Sequence, residues 1–294
     1  MVRAPAGDRG RGRRRRTRAF ESRAHARAPH PSRARSARRP ARGRGRIPAV
    51  SLPRAYRAHA IVLRGRNLGE ADRALSLLTL ERGKLDAVAK GVRRGDSRLS
   101  GRLELLSEVD ASFHRGRSLD VITGADPVTS YWQRLVTPEA FAVASVVAEL
   151  VDAFCEPELP VPAVYRLLRG ATAAIAGRGE ARRVLARFEL RLLDELGLGI
   201  PLDACMHCQR ALAEQAVVDL SVGGLACPSC LRPEGNTVLD AGELVALQHL
   251  GAPKGQGASL RAGAKVARAV ETLIVHHLGK TARSLAALDA LAPE

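Results

Sequence analysis

At 294 residues and a formal net charge of +17, the chain has the length for about two domains and a basic excess suggestive of nucleic acid. Residues 1–50 carry 17 Arg against Asp8 and Glu21, which leaves residues 51–294 only slightly basic, so the global charge describes a tail and not the folded body. No apolar run approaches the ~18 residues of a membrane span, and the basic N-terminus lacks the apolar stretch of a secretory signal.

Residues 1–52, built from Arg, Ala, Gly and Pro without apolar periodicity, predict a disordered Arg-rich tail. It could add non-specific DNA affinity, serve as an organelle transit peptide, or be dispensable. With no Met between Met1 and Met206, a shorter product would need another start codon, near Val50.

Residues 53–130 change texture. Short apolar runs at His59–Leu63, Ala74–Leu80 and Leu85–Ala89 are separated by polar turns. After a longer break, Leu103, Leu105, Val109, Ala111 and Phe113 share one parity and polar residues the other, with Leu106 as the exception. Leu119, Val121 and Thr123 alternate again. Five short strands with a long break after the third predict an OB-like β-barrel.

The break holds Lys90, Arg93, Arg94, Arg98 and Arg102 against the single acid Asp96, among turn-forming Gly91, Gly95, Ser97, Ser100 and Gly101. A projecting, mobile loop of cations suits phosphates; the plainer alternative is a solvated loop. Arg66 and Arg115 are further candidate contacts. Residues 51–130 contain only two aromatics, Tyr56 and Phe113, and the parity of Phe113 sends it to the core. Binding here is expected to be led by phosphates, with weak sequence preference.

Beyond Asp126-Pro127 the period becomes helical. Thr137 can cap a helix with Pro138 in its first turn, followed by a stripe of Phe141, Ala144, Val147 (or Val146), Leu150, Val151 and Phe154. Further helices are expected over Val161–Ala176, Glu180–Leu196, Asp240–Leu250, Leu260–Leu278 and near Ser284–Leu291. The expected architecture is α+β: the N-terminal five-stranded OB-like barrel, then an α-helical domain (131–201 and 234–294) with an inserted four-cysteine zinc ribbon (202–233). Cys155 reads as a buried small hydrophobe, and His276-His277 as cations at a helix C-terminus.

The insertion carries the most specific signal. Cys205-Met206-His207-Cys208 and Cys227-Pro228-Ser229-Cys230 have the spacing of a four-thiolate zinc site. Two such knuckles close a tetrahedral set with no open position, so one structural zinc ion is expected, supplying much of the folding free energy of a segment with little core. His207 lies inside a knuckle and is not counted as a ligand.

Enzyme readings lack residues. No His is followed two positions later by Glu, as zinc nucleobase deaminases require. Leu278-Gly279-Lys280-Thr281 imitates the end of a phosphate loop but follows a helix and lacks the first Gly. No catalytic constellation emerges, and a non-enzymatic protein is expected.

Residues 53–294 resemble the bacterial DNA repair protein RecO family. The resemblance lies in Gly69-Glu70-Ala71-Asp72, Val88-Ala89-Lys90-Gly91-Val92-Arg93-Arg94 running on to Ser97-Arg98, and Leu103-Glu104-Leu105-Leu106. It continues in Arg187-Phe188-Glu189-Leu190 with Leu193 and Leu196-Gly197, the paired Cys, and His277-Leu278-Gly279-Lys280 with Arg283-Ser284-Leu285. It implies a cytoplasmic, nucleoid-associated bacterial mediator of recombinational repair. Such proteins bind single- and double-stranded DNA, anneal complementary strands, recognise the acidic tail of single-stranded DNA-binding protein, and with RecR help load RecA onto gaps. The competing expectation is a zinc-stabilised protein-interaction scaffold whose DNA affinity comes only from the Arg-rich tail.

Overall fold

The computed structural model describes residues 54–177, 180–252 and 263–291. The expected tail therefore lies outside the described residues.

The barrel forms from β1 (Ala55–Leu68), β2 (Asp72–Thr79), β3 (Gly83–Ala89), β4 (Glu108–His114) and β5 (Asp120–Thr129). It closes in the order β1-β2-β3-β5-β4. The N-terminal half of β1 pairs with β4 and its C-terminal half with β2, with a register shift between Val62 and Arg64. Strand β3 meets β5 in parallel from Ala87↔Asp120 to Ala89↔Ile122, the crossover that the long break after β3 makes possible.

The interior of the barrel is small and well sealed: Ala60, Val62, Leu77, Ala87, Val109, Ala111 and Phe113 are all essentially inaccessible. Ile61, Leu63 and Leu78 point the other way and join the helical core. That double duty is why the first runs are apolar at both parities, whereas β4 alternates. The expected strand from Leu103 is shortened. Leu106, the exception to the alternation, takes a left-handed backbone (φ 57°), and its N–H bonds Val62 O at 2.8 Å. Leu103–Leu106 is a turn returning to β1, and the strand starts at Glu108.

A 3₁₀ turn at Trp132–Arg134, which periodicity did not predict, leads into α1 (Pro138–Phe154). Thr137 caps α1, accepting from Ala140 N at 3.1 Å, with Pro138 at its first position. Helices α2 (Pro162–Ala176) and α3 (Ala181–Glu195) follow. Val143, Ala144, Val146, Val147, Leu150 and Val151 of α1 are fully buried among the barrel, α2, α3 and the C-terminal helix. Phe141, expected in the α1 stripe, is 53% exposed; the buried arc is wide but turned past it. Cys155 closes α1, is buried as expected, and its burial pushes the thiol up to about 11.

Then come β6 (Gln215–Asp219), β7 (Gly224–Ala226) and β8 (Val238–Asp240), a small sheet in the order β7-β6-β8. Asp240 ends β8 and caps α4 (Ala241–Gly251) in a capping box with Glu243. Helices α5 (Ala264–Leu278) and α6 (Arg283–Asp289) complete the body. The small sheet shares a core with the helices: Cys205, Val218, Leu225 and Ala226 pack with Leu190 of α3, Leu247 of α4 and Val270 of α5. His276 and His277 sit in the last turn of α5 as expected, and Gly279 stops the helix at φ 70°.

Candidate functional site

Two constellations are built by this fold. In the first, the backbone turns each C-x-x-C around its own sulfurs. Gln209 adopts φ 59° and donates its N–H to Cys205 O, while Cys230 N–H bonds Cys227 O at 2.9 Å. The four Sγ atoms of Cys205, Cys208, Cys227 and Cys230 lie within 4.8 Å of one another, and no other cluster of metal-ligand type occurs among the described residues. Cys227 N–H donates to Cys205 Sγ at 3.2 Å.

Electrostatics fits a cation at the centre. Burial opposes charge on Cys205, yet N–H groups of Cys208, Cys227 and His207 aim at its sulfur and bring the thiol down to about 6. Cys227 is lowered as well, against its burial, by Cys230 N–H. Cys230, against the thiols of Cys208 and Cys227, is pushed up to about 12. Four thiols about one point cannot all ionise alone; a divalent ion removes the conflict. Cys205 and Cys227 are buried and Cys208 and Cys230 exposed, so one side of the set is solvent-facing. His207 turns away to Asp219 Oδ2 at 2.6 Å, and Asp219 also accepts from Ser221 N and Oγ.

The second constellation is the β3–β4 connection. Expected to be mobile, it is a chain of tight turns pinned at several points. Val92 and Leu103 are buried in the barrel, Gly91 N–H donates to Asp72 Oδ1 at 2.7 Å, and Arg93 N–H to Ala71 O at 3.0 Å. Lys90, Arg94 and Arg98 project from this anchored base into solvent. None of the three has a carboxylate partner among the described residues.

Several cations elsewhere on the barrel are paired with carboxylates, while Arg54, Arg66 and Arg117 are exposed without one among the described residues. Arg57 pairs with Asp110, Arg64 with Asp152, Arg73 with Glu104 and Lys84 with Asp152, at 2.8, 3.2, 3.0 and 3.7 Å. The remaining sequence-selected residues divide. Arg93 stays on the loop but donates to the Gly69 and Glu70 carbonyls. Arg102 donates to Ala125 O at 2.9 Å, with Asp126 at 4.0 Å. Arg66 is exposed on β1 opposite Ala74, two residue pairs from the β1–β2 turn whose carbonyls accept from Arg93.

Arg115 follows β4, in the β4–β5 turn. Its guanidinium lies 5.9 Å from the Tyr56 ring centroid, and Arg82 of the β2–β3 turn lies 4.4 Å from the same ring. Tyr56 stacks on Phe113 at 5.0 Å and bonds Asp120, so the barrel's aromatic pair is used internally. The pairing of Arg82 with Tyr56 had no signal in the linear order, since the two meet only through barrel closure.

A further concave surface, a groove of about 810 Å³, lies where β1, the end of the β3–β4 connection, α1 and the start of α6 meet. Trp132 and Phe141 both line it. Among the described residues no helix is long and apolar enough to cross a membrane.

Comparison with known proteins covers both the barrel and the helical body. Residues 54–131 match the family model described as Recombination protein O N terminal, and residues 136–286 that described as Recombination protein O C terminal. A DNA repair protein RecO from Bifidobacterium longum is 38% identical over 175 residues, 58% of this chain and 72% of the relative. One from Nocardioides sp. is 38% identical over 197 residues, 65% of this chain and 80% of the relative. A third, from Dehalococcoides mccartyi, is 31% identical over 202 residues, 68% of this chain and 80% of the relative. With models matching both its barrel and its helical half, the chain belongs to the RecO family of DNA repair proteins.

Proposed function

We propose that this chain is a non-enzymatic recombination mediator that binds single- and double-stranded DNA through its barrel and anneals complementary single strands. The observation that carries this reading is the contrast in commitment. Arg57, Arg64, Arg73 and Lys84 are paired with carboxylates, the second and fourth sharing Asp152, whereas Lys90, Arg94 and Arg98 stand together, exposed and without a carboxylate partner among the described residues, on a pinned loop. Pre-placed cations lose little freedom on meeting phosphates, and contacts to phosphate leave the base edges free to find a complement.

In this reading the protein acts with RecR to load RecA on gaps coated by single-stranded DNA-binding protein, in the bacterial cytoplasm at the nucleoid. A cleft between α2 and α3 supports the acidic-tail partner: Leu167, Ala171 and Val184 line it, with Arg166 exposed beside it and Arg191 already paired with Asp194 and Glu195. The four-cysteine set holds one structural zinc ion. With all four positions taken by thiolates, the ion braces the fold and takes no part in chemistry.

Fluorescent single-stranded DNA titrated across a salt series tests the reading, comparing the full chain with a Lys90, Arg93, Arg94, Arg98→Ala variant of verified folding. Three or four lost contacts at ~0.7 counterions each make the log–log salt slope shallower by about 2 to 3. Equal affinity and slope for both proteins would transfer DNA binding to the Arg-rich tail and leave the body as a zinc-stabilised scaffold.

A further inference from the structure

The groove between barrel and helices holds two exposed aromatic rings. Trp132, the only tryptophan of the chain, is 39% exposed and Phe141 is 53% exposed. Both line the one groove, beside Arg64, Arg73, Lys280 and Arg283. Rings of this size are ordinarily buried, and an exposed pair in a concave surface marks a place where something stacks.

The charges around the rings are sorted. The acids of the groove are all engaged: Glu104 with Arg73, Asp152 with Arg64, and Glu149 with the backbone N–H groups of Arg283 and Ser284, both at 2.9 Å. The side chains of Lys280 and Arg283 have no carboxylate partner among the described residues and are exposed. The groove therefore offers exposed cations at its rim and aromatic faces within; Glu104 and Asp152 are paired with Arg, and Glu149 keeps its charge but is hydrogen-bonded to the start of α6 beside Arg283. It is also continuous with the basic loop, since Glu104 and Leu105 at the end of the β3–β4 connection form part of its wall.

The geometry points to this groove as a stacking site for unpaired bases of single-stranded DNA, with Trp132 and Phe141 as the platforms and Lys280 and Arg283 on the phosphates. Stacking on a ring face is indifferent to sequence and closed to a base held inside a duplex. It also leaves the pairing edges of the base exposed, as annealing requires. A strand held by Lys90, Arg94 and Arg98 would run along the loop into the groove, which extends the phosphate-led reading above and rests on it.

The sole tryptophan provides the readout. Full-length protein, excited at the red edge where tyrosine is silent, is titrated with oligo(dT), with duplex DNA and with an acidic peptide, while labelled oligo(dT) reports binding independently. Trp132 emission is expected to be quenched by the single strand at the concentration where the label reports binding, and not by duplex. Phe141→Ala, a change at an exposed position, should weaken oligo(dT) binding about 5- to 100-fold. Binding by the label with Trp132 emission unmoved and Phe141→Ala unchanged would overturn the groove and leave the loop reading intact. Quenching by duplex, or by the acidic peptide alone, would overturn base stacking. Failure of oligo(dT) to bind by either readout would remove the groove and the DNA-binding reading together.

Discussion

The Tyr165 hydroxyl on α2 donates to Glu108 Oε1 on β4 across 3.1 Å, joining the helical body to the barrel through a buried seam. Tyr165 is 2% and Glu108 5% exposed, and Arg169 approaches the same carboxylate at 3.7 Å. Burial, and then the neighbouring carboxylate, raise the pKa of the phenol, so it remains a donor through the working range of pH. Tyr165→Phe keeps the packing and removes one partner from a buried acid. It should cost about 1 to 3 kcal/mol in urea unfolding. An unchanged midpoint would show that Arg169 alone satisfies Glu108.

Gly83 makes the second joint between barrel and helices. It starts β3 at φ 71°, and a Cβ built there would stand 2.0 Å from Leu159 O in the α1–α2 connection. The same connection meets β3 through Glu158 N–H to Lys84 O at 2.8 Å. Gly83→Ala therefore adds a backbone clash to a left-handed conformation and should destabilise by about 2 kcal/mol or more. Thermal melting of the variant decides: a shift no larger than that of an exposed-loop control would mean that the α1–α2 connection yields freely.

A metal ion held by the four cysteines is expected to stabilise more than its own ribbon. Cys205 and Cys227 are members of a core that includes Leu247 of α4 and Val270 and Leu273 of α5. The ribbon is also tied to α5 by His277 Nε2, 2.9 Å from Gly223 O. Chelation or Cys205→Ser should therefore abolish hydrogen-exchange protection in α4 and α5 along with β6 and β7, while the barrel, whose core is separate, keeps its own. Protection lost only between Cys205 and Cys230 would make the ribbon an independent unit.

Much of this fold is readable in order along the chain. Thr137-Pro138 announces α1, the paired Cys announce the four-thiol cluster, and the alternation through Val109, Ala111 and Phe113 gives β4 and its inward face. Local rules suffice there because cap, knuckle and pleat are each set within a few residues. What escapes is what depends on which neighbour covers a face. Phe141 has the spacing of a core residue, but the barrel and α6 cover the adjoining arc of α1 instead. Leu106 is apolar at the wrong parity because the chain turns back there. Charge selects the DNA candidates in the sequence, yet charge says nothing of commitment: Arg102 and Arg115 are engaged by Ala125 O and the Tyr56 ring, which only barrel closure brings near.

Glu189 is the least comfortable acid among the described residues. It lies on α3 with 1% exposure, and its Oε1 has no hydrogen-bond partner among the described residues. Burial, and then the nearby charge of Glu271 on α5, holds its carboxyl well above the usual range. Glu271 is itself raised by burial and by Asp289, against the lowering effect of Arg268 and Arg182. The folded protein thus keeps Glu189 protonated where the unfolded chain ionises it, and folding takes up a proton. Stability from this group is greatest below the ordinary carboxylate range and falls as pH rises through it, by up to about 1.4 kcal/mol per pH unit, until the folded-state pKa is reached. Glu189→Gln keeps the shape and removes the proton. The variant should be the more stable protein above the ordinary carboxylate range, with a flatter stability profile as pH rises from that range towards neutrality. Urea unfolding across that interval measures it; parallel profiles for the two proteins would mean that Glu189 is ionised and held by a partner in the folded state.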